Sequence, residues 1–582
     1  MPSAGRSWLR PCSRHGAQQE EIILDTSRLI LAVVLSLGLI FIYQELVLKR
    51  ISPPPGPQER LAQQRATEVI PTSASTAATL EQNAAQPLSG SISGVTALQP
   101  AGPPLPERLV TIETDQYVAQ ITSRGGRIRS FRLKHYQETA SPDSGWYELV
   151  PQSGEYVLPL GAILARGDQV LTDSALDYSI SPSQDVRIAA DEGTKLVLNA
   201  QAVDGTMIKK TLSFHGDSYA FTTDLKVSGG PKNDAIGLAL SQPLNPHAGY
   251  YDIPELQAYV TGKAITEAEK ALRKGVAPVT GNITYAGFGD RYFLTAYLPA
   301  NVSAGTLMMT FANEQALARM LIPGVDQLSA RVYMGPKLLE ALEAVDPALE
   351  KSINFGWTGL LAIIFLRALK LFHQIVPNYG WAIVLVTVML RLLMLPISIK
   401  SQRSMMKMQR LQPQMERMRE RFKDDQERLQ REMVDLYKRN HVNPVGGCLP
   451  MLLQLPIFIG LYEALLNSVE LRHAPFIWWI KDLSAPDCLP VSWMPQIPFM
   501  HCHGIPVLVL AMGASTFFQQ WMTPTTPDPN QQRMMMLTPL IFTVMFVNFP
   551  AGLSLYYFAS NVLGVVQQVF LNREFKNSPV TA

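Results

Sequence analysis

Trp381-Ala382-Ile383-Val384-Leu385-Val386-Thr387-Val388-Met389-Leu390-Arg391-Leu392-Leu393-Met394-Leu395 is an apolar run with a single cation past its middle. A guanidinium at bilayer depth costs about 2.5 to 3.5 kcal/mol on insertion scales, so such residues face protein or a water-filled cavity rather than lipid. The run predicts a membrane span that turns Arg391 toward a polar interior. Thr387 lies one helical turn earlier on the same face. Beyond the run, Ser398 to Asn443 is a long Met-rich basic segment that ends before the next apolar stretch. The C-terminal third of the chain therefore reads as a membrane bundle built around a polar interior.

The composition agrees. A chain of 582 residues exceeds one domain, and 47% hydrophobic against 17% charged residues points to a membrane protein. A net charge of +2 argues against bulk nucleic-acid binding. Cys12, Cys448, Cys488 and Cys502 are widely separated and include no C-x-x-C pair, so neither a zinc ribbon nor a thioredoxin motif is available. For Cys488, His501, Cys502 and His503 three readings stand: a metal site, a disulfide, or an irregular loop.

The first apolar run, Leu29 to Leu48, lacks a small-x-small cleavage site and reads as an uncleaved anchor. Basic residues flank it on both sides, so local charge does not orient it. From Ser52 to Pro106 the chain is rich in Pro, Gln, Ala, Ser and Thr, a composition that buries too little surface to fold. Short alternating segments follow: Leu109 to Ile121, Ile128 to Leu133, Lys195 to Ala200, Thr206 to Phe214 and Ala220 to Val227. They predict an all-β domain, most simply a sandwich, reaching about Met334. It carries no G-x-S-x-G, H-E-x-x-H or phosphate-binding Gly loop, so an interaction or spacer role is expected of it rather than catalysis.

In Phe355 to Val376, Arg367, Lys370 and His373 recur every three residues and form one polar stripe, which suits a helix lying in the membrane interface. Topology agrees: if only the next stretch spans, the basic segment after Ile397 is cytoplasmic and the β domain lies outside. Within the basic segment, Met408, Leu411, Met415, Met418 and Phe422, then Leu429, Met433 and Leu436, are spaced three and four apart. They predict a helical hairpin in which Pro413 starts or kinks the first helix and Asp424 with Glu427 caps the second. The stripe is either the hairpin core or an adaptable surface for partners, with Met405, Met406, Met408, Met415 and Met418 as its contacts. Lys400, Arg403, Lys407 and Arg410 fit anionic headgroups, ribosomal RNA or a solvated face. Further spans are expected at Leu449–Leu466, Ile505–Met522, Leu537–Phe549 and Leu553–Phe570, with Pro550-Ala551-Gly552 as an outer turn and Phe476, Trp478 and Trp479 as interfacial anchors.

Gly446-Gly447-Cys448-Leu449-Pro450, Gln454-Leu455-Pro456-Ile457-Phe458, the run from Ser468 to Phe476, Phe549-Pro550-Ala551-Gly552 and Leu555-Tyr556-Tyr557 together resemble the YidC/Oxa/Alb family of membrane insertases. The likeness covers about Phe355 to Phe575. The anchor, tether and β domain resemble the family's Gram-negative form in order and size, as does Ser123-Arg124-Gly125-Gly126. The resemblance implies a six-span α-helical bundle with a five-helix core and a periplasmic β-supersandwich similar to galactose mutarotases. It also implies an insertase and chaperone that is not an enzyme, uses no cofactor and works alone or with the Sec translocon. Nascent membrane proteins, the ribosome and membrane lipids would be its other partners, and the bacterial inner membrane its place. The family's core arginine falls on Arg391, with Thr387 beside it and Tyr557 as a groove residue. Gln454, Gln519, Gln520 and Asn561 are polar residues placed near that groove from the sequence.

The expected organisation is a cytoplasmic segment 1–28, an anchor 29–48, a disordered linker 49–107, a β-sandwich 108–340 and an amphipathic region 341–377. The core follows at 378–574, including the cytoplasmic hairpin 398–443, and a cytoplasmic tail at 575–582 closes the chain. Glu463 either pairs with Arg391 or lies near the outer surface, and Arg391 itself is either a groove residue or part of a structural ion pair. Rival classes are a secondary transporter, which calls for paired repeats, and a membrane-anchored periplasmic carbohydrate-binding protein, which the β domain's fold alone does not establish.

Overall fold

The computed structural model describes residues 95–577, apart from 142, 151, 153–156, 244–253, 301–303, 313–314, 424, 441–448, 494–499, 501–503 and 523–528. The anchor, the cytoplasmic N-terminal segment, most of the linker, the Gly446-Gly447-Cys448 motif and Asp424 lie outside the described residues.

Alternation builds the β domain. Met207–His215 and Gly193–Gln201 pair in register, each burying every second residue along most of its length, the pattern of a sheet with one face on a core. Ala220–Ser228 and Gln327–Pro336 continue this nine-stranded sheet. A seven-stranded sheet is centred on Ala235–Pro243 and Gln315–Pro323, and a five-stranded sheet on Tyr117–Thr122 and Arg127–Gln137. Phe131, Phe214, Tyr297 and Tyr333 fill the space they enclose, each buried aromatic contributing about 1.5 to 3 kcal/mol. A short helix, α1 (Glu269–Arg273), follows strand Lys263–Ala268.

Two expectations change here. The segment Leu109 to Ile121 is a hairpin, Leu109–Glu113 with Tyr117–Thr122, turned by Thr114, whose Oγ1 accepts from the backbone N–H of Gln116 and Tyr117. The linker also ends earlier than 107. Val95–Ala97 adds a parallel edge strand to Gln169–Thr172, and Leu98 is buried behind it.

Helix α2 (Leu339–Val345) and a 3-10 turn at Pro347–Ser352 lead out of the sheets. Leu342, Leu349, Ile353 and Phe355 carry one continuous apolar cluster from the β domain into the helices that follow. These are α3 (Gly359–Ile375), α4 (Tyr379–Arg410), α5 (Gln412–Arg421), α6 (Gln426–Arg439), α7 (Leu449–Leu466), α8 (Val507–Met522), α9 (Pro529–Phe546) and α10 (Ala551–Asn577). Among the described residues, Gly356–Ile375 and Tyr379–Arg410 are long and apolar enough to cross a membrane by length and composition. The polar stripe of α3 is held by acids: Lys370 meets Glu340 at 2.5 Å and Glu470 at 2.7 Å, and Arg367 lies 3.9 Å from Glu343. Trp357, Leu360, Ile364, Leu371 and Ile375 remain exposed on the same segment.

Missing side chains set the helix crossings. A Cβ at Gly460 would stand 2.8 Å from that of Leu361, and one at Gly513 would overlap Thr543, so α7 closes on α3 and α8 on α9 through glycine. The loop after α7 joins the two halves. Arg472 donates to the carbonyls of Gln137 (2.7 Å) and Glu138 (3.2 Å) and sits over the rings of Tyr147 and Phe293 at 4.8 and 5.3 Å. Further along, Asp487 accepts from Trp479 Nε1 and from the first amides of α8. Trp478 is exposed and stacked on Trp479. Ala551 and Gly552 donate to the carbonyls of Ala485 and Leu483, which fixes the turn before α10. Cys488 is disulfide-bonded, which selects the disulfide among the three readings of that loop; the chain's other cysteines lie outside the described residues. No cluster of three metal-binding side chains occurs among the described residues.

The hairpin differs from expectation in two respects, its first limb and its cap, and decides between the two readings of its Met stripe. Its first limb is not separate: α4 runs unbroken through Pro396 to Arg410, and Pro413 then occupies the first turn of α5, where its missing N–H costs nothing. The cap of α6 is Asp425, which accepts from Arg428 N at 2.9 Å, in place of Asp424. Met408, Leu411, Met415 and Leu436 are buried together, Met406 is buried, and Met405 and Met418 are half-buried. In this conformation the stripe is the hairpin's core and not an open docking surface. Helix α9 starts at Pro529 and ends at Phe546, earlier at both ends than Leu537–Phe549.

Candidate functional site

Helix α4 presents Thr387, Arg391, Met394 and Ser398 at spacings of four, three and four, which is one face. Helix α10 presents Tyr556, Ser560 and Gln567 in the same manner, and α7 contributes Gln454 and Ile457. With Leu390 these residues line a cavity of about 40 Å³. At about 10 to 15 Å³ per water, it holds a few waters and no polypeptide.

Arg391 is the centre of the cavity. Its Nε and Nη2 both donate to Ser560 Oγ, at 3.0 and 2.8 Å. Among the described residues no carboxylate lies within ion-pair distance of it, so its charge is met by a hydroxyl and by whatever enters. Gln454 Nε2 donates to Tyr556 Oη at 2.6 Å across the α7–α10 gap. Gln567 Nε2 donates to Ser398 Oγ and Gln402 Oε1, at 3.0 and 3.3 Å, extending the polar face toward the hairpin. Toward the β domain the lining changes character. Thr387 is buried and bonds back to the Ile383 carbonyl. Beyond it, Ile383 is buried beside Gly552, and Phe546 and Phe549 pack together with ring centroids 5.2 Å apart.

The remaining sequence candidates do not line the cavity. Tyr557 lies in an aromatic cluster with Phe458, Phe542 and Phe546, because adjacent residues on a helix point about 100° apart and Tyr556 takes the cavity side. Asn561 is buried and donates to Ser515 Oγ and Thr516 Oγ1, clamping α10 to α8. Gln519 approaches Arg391 from α8 over Gly564: a Cβ on that glycine would stand 2.5 Å from Gln519 Nε2 and 3.3 Å from Arg391 Nη2. Gln520 is half-buried and does not line the cavity. Glu463 accepts from Asn467 Nδ2, which also donates to the Asn354 carbonyl, so it belongs to the β-domain end of α7 rather than to Arg391.

Two family models divide nearly all of the described chain. Residues 109–367 match the YidC periplasmic domain, and residues 371–578 match the 60Kd inner membrane protein family. The membrane protein insertase YidC of Geotalea daltonii is 34% identical over 504 residues, covering 84% of this chain and 91% of that one. The chain belongs to the YidC insertase family. The YidC of Pelobacter propionicus is 33% identical over 569 residues, 94% of this chain and 99% of the relative. A crystal structure of an active YidC insertase with its first transmembrane domain resolved is 17% identical, covering 83% of this chain and 95% of that one at a TM-score of 0.34, too low an overlap to bear on the fold.

For this YidC-family chain, the residues that sequence reasoning passed over are Ser398, Tyr556, Ser560 and Gln567. The signal was present: Ser398 continues the Thr387–Arg391 face by four and three, and Tyr556, Ser560, Gly564 and Gln567 recur at four, four and three on α10.

Proposed function

We propose that this chain inserts nascent membrane proteins into the bacterial inner membrane through the polar face centred on Arg391. The observation that carries the reading is the Arg391 guanidinium, bonded to Ser560 and without a carboxylate partner among the described residues. Carried into a bilayer, a cation left without a counter-charge attracts the acidic residues of an incoming tail. The polar residues continue from Arg391 toward the hairpin, while aromatic and aliphatic side chains fill the end nearer the β domain. Such a pocket, open to the cytoplasm and lipid and closed outside, solvates a polar flank partway across and divides one desolvation barrier into two smaller ones. The small cavity volume means that a substrate must displace lining side chains or part the helices as it enters.

The β domain then lies in the periplasm, the hairpin and both termini in the cytoplasm, and α3 along the interface, its cations held by Glu340, Glu343 and Glu470. Helix α8 has 16 residues and the apolar part of α9 is Met536–Phe546. At about 1.5 Å per residue both fall short of a hydrocarbon core of about 30 Å, which favours local thinning and a shorter path for the substrate. The driving force is partitioning of the substrate's apolar segment together with the membrane potential. The Sec translocon and the ribosome are the partners this reading expects, the hairpin's basic face being suited to ribosomal RNA or anionic lipid.

The test is Arg391→Ala in cells depleted of their own insertase, reading insertion of a substrate with an acidic translocated tail. Insertion is expected to fall several-fold and to recover with Arg391→Lys, which keeps the charge. Normal insertion by Arg391→Ala would leave the residue a structural role only.

A further inference from the structure

Ser123-Arg124-Gly125-Gly126 is unused by the membrane site. It forms the turn between strands Tyr117–Thr122 and Arg127–Gln137, with positive φ at Gly125 (70°) and Gly126 (55°). The turn is fastened from beneath by Lys210, whose buried Nζ donates to the carbonyls of Gly125 (2.8 Å), Gly126 (3.0 Å) and Leu160 (2.8 Å) and pairs with Asp173 at 2.6 Å. Arg127 pairs with the same carboxylate at 3.1 Å, and Tyr178 Oη donates to it at 2.8 Å. One buried carboxylate thus answers two buried cations, and the cluster keeps surplus positive charge. Burial pushes the Lys210 ammonium down to about 8, with Asp173 opposing, so it remains protonated at neutral pH.

The Arg127 guanidinium fits because two neighbours lack side chains. A Cβ at Gly125 would stand 2.9 Å from its Nε, and one at Gly161 would stand 3.0 Å from its Nη2. That Nε is buried without a hydrogen-bond partner among the described residues. Arg127 forms one wall of a cavity of about 520 Å³ whose other polar walls are Arg124, Arg129, Glu107, Thr122 and Ser174. Glu107, the one acid in the wall among the described residues, accepts from the Thr122 hydroxyl at 2.6 Å. Arg124 is only loosely paired, 3.8 Å from Asp177. Arg129 is exposed, and its guanidinium makes no hydrogen bond or ion pair with another described residue.

We propose that this cavity is an anion site, taking a phosphate group with Arg129 and Arg124 as its charged donors, Ser174 as a hydroxyl donor and the Arg127 cluster as fixed positive charge behind them. Guanidinium forks match phosphate oxygens in pairs. The volume falls within the roughly 300 to 1,000 Å³ of ligand pockets and exceeds what a bare phosphate fills, which leaves room beside Leu109 and Leu158 for a larger molecule that carries the phosphate. That molecule is either a soluble phosphomonoester or a phospholipid headgroup.

Calorimetry on the full chain in neutral detergent separates the sources, using glycerol 3-phosphate as the soluble probe and dihexanoyl phosphatidylglycerol as the headgroup probe. Arg124→Ala and Arg129→Ala are the variants, both at exposed positions, with thermal unfolding confirming their fold. At least one probe is expected to bind wild type and to weaken tenfold or more in Arg129→Ala; binding of the lipid probe alone assigns the headgroup. No binding by either probe, or affinities unchanged in both folded variants, overturns the proposal.

Discussion

Arg391 and Ser560 are held at a fixed separation by two hydrogen bonds to one hydroxyl oxygen, and the room for that arrangement comes from Gly564. A side chain there would push against Gln519 and Arg391 at once. Gly564→Val is therefore expected to lower insertion of a substrate with an acidic tail several-fold, while Val566→Ala, on an exposed position of the same helix, leaves it unchanged. Wild-type insertion by Gly564→Val would mean that the guanidinium is not confined as described. At this scale the sequence put forward Arg391, Thr387 and Gln454, and all three line the cavity: a cation in an apolar run, its neighbour one turn away and a polar residue in another apolar run are visible without a fold. It did not separate Tyr556 from Tyr557, or Ser560 from Asn561. Each pair is adjacent, and only the rotation of α10 against α4 and α8 decides which member faces the cavity.

Among the elements, those with a strong local signal were legible: the alternating strands of the nine-stranded sheet, the apolar helices of the C-terminal third, and Pro413 in the first turn of α5. Elements decided by a neighbour were not. The three-residue strand Val95–Ala97 exists only because Gln169–Thr172 offers it an edge, and α4 passes through Pro396 because the helix on either side is packed. In the hairpin, Asp425 satisfies the amide of Arg428 at the start of α6, whose solvent-facing side is charged. Loss of such a cap costs about 1 kcal/mol. Asp425→Ala should raise amide exchange in the first turns of α6, with the exchange of α8 and α10 unaltered. Equal exchange in α6 would assign the cap to another residue.

Across the molecule, a continuous apolar cluster and the Arg472 contacts join a β domain to one end of the helical bundle, and the hairpin extends α4 at the other. Between these ends, Thr387, Arg391, Ser398 and Gln402 form a polar line that faces Tyr556, Ser560 and Gln567 and gives way to packed aromatics toward the β domain. An asymmetric polar line of this kind suits one-sided entry of a polypeptide followed by release into lipid. The two-part architecture was legible from composition alone, since a polar β-rich stretch and an apolar C-terminal third cannot share one solvent. The junction between them was not, because Arg472 and its partners Gln137, Glu138, Tyr147 and Phe293 are far apart in the chain. The most direct measurement is photocrosslinking of a stalled nascent membrane protein from probes at positions 454 and 556, with position 562 on another face of α10 as control. Capture from 454 and 556 and none from 562 is the expected result; capture from 562 without either of the others would contradict a substrate path along the Arg391 cavity.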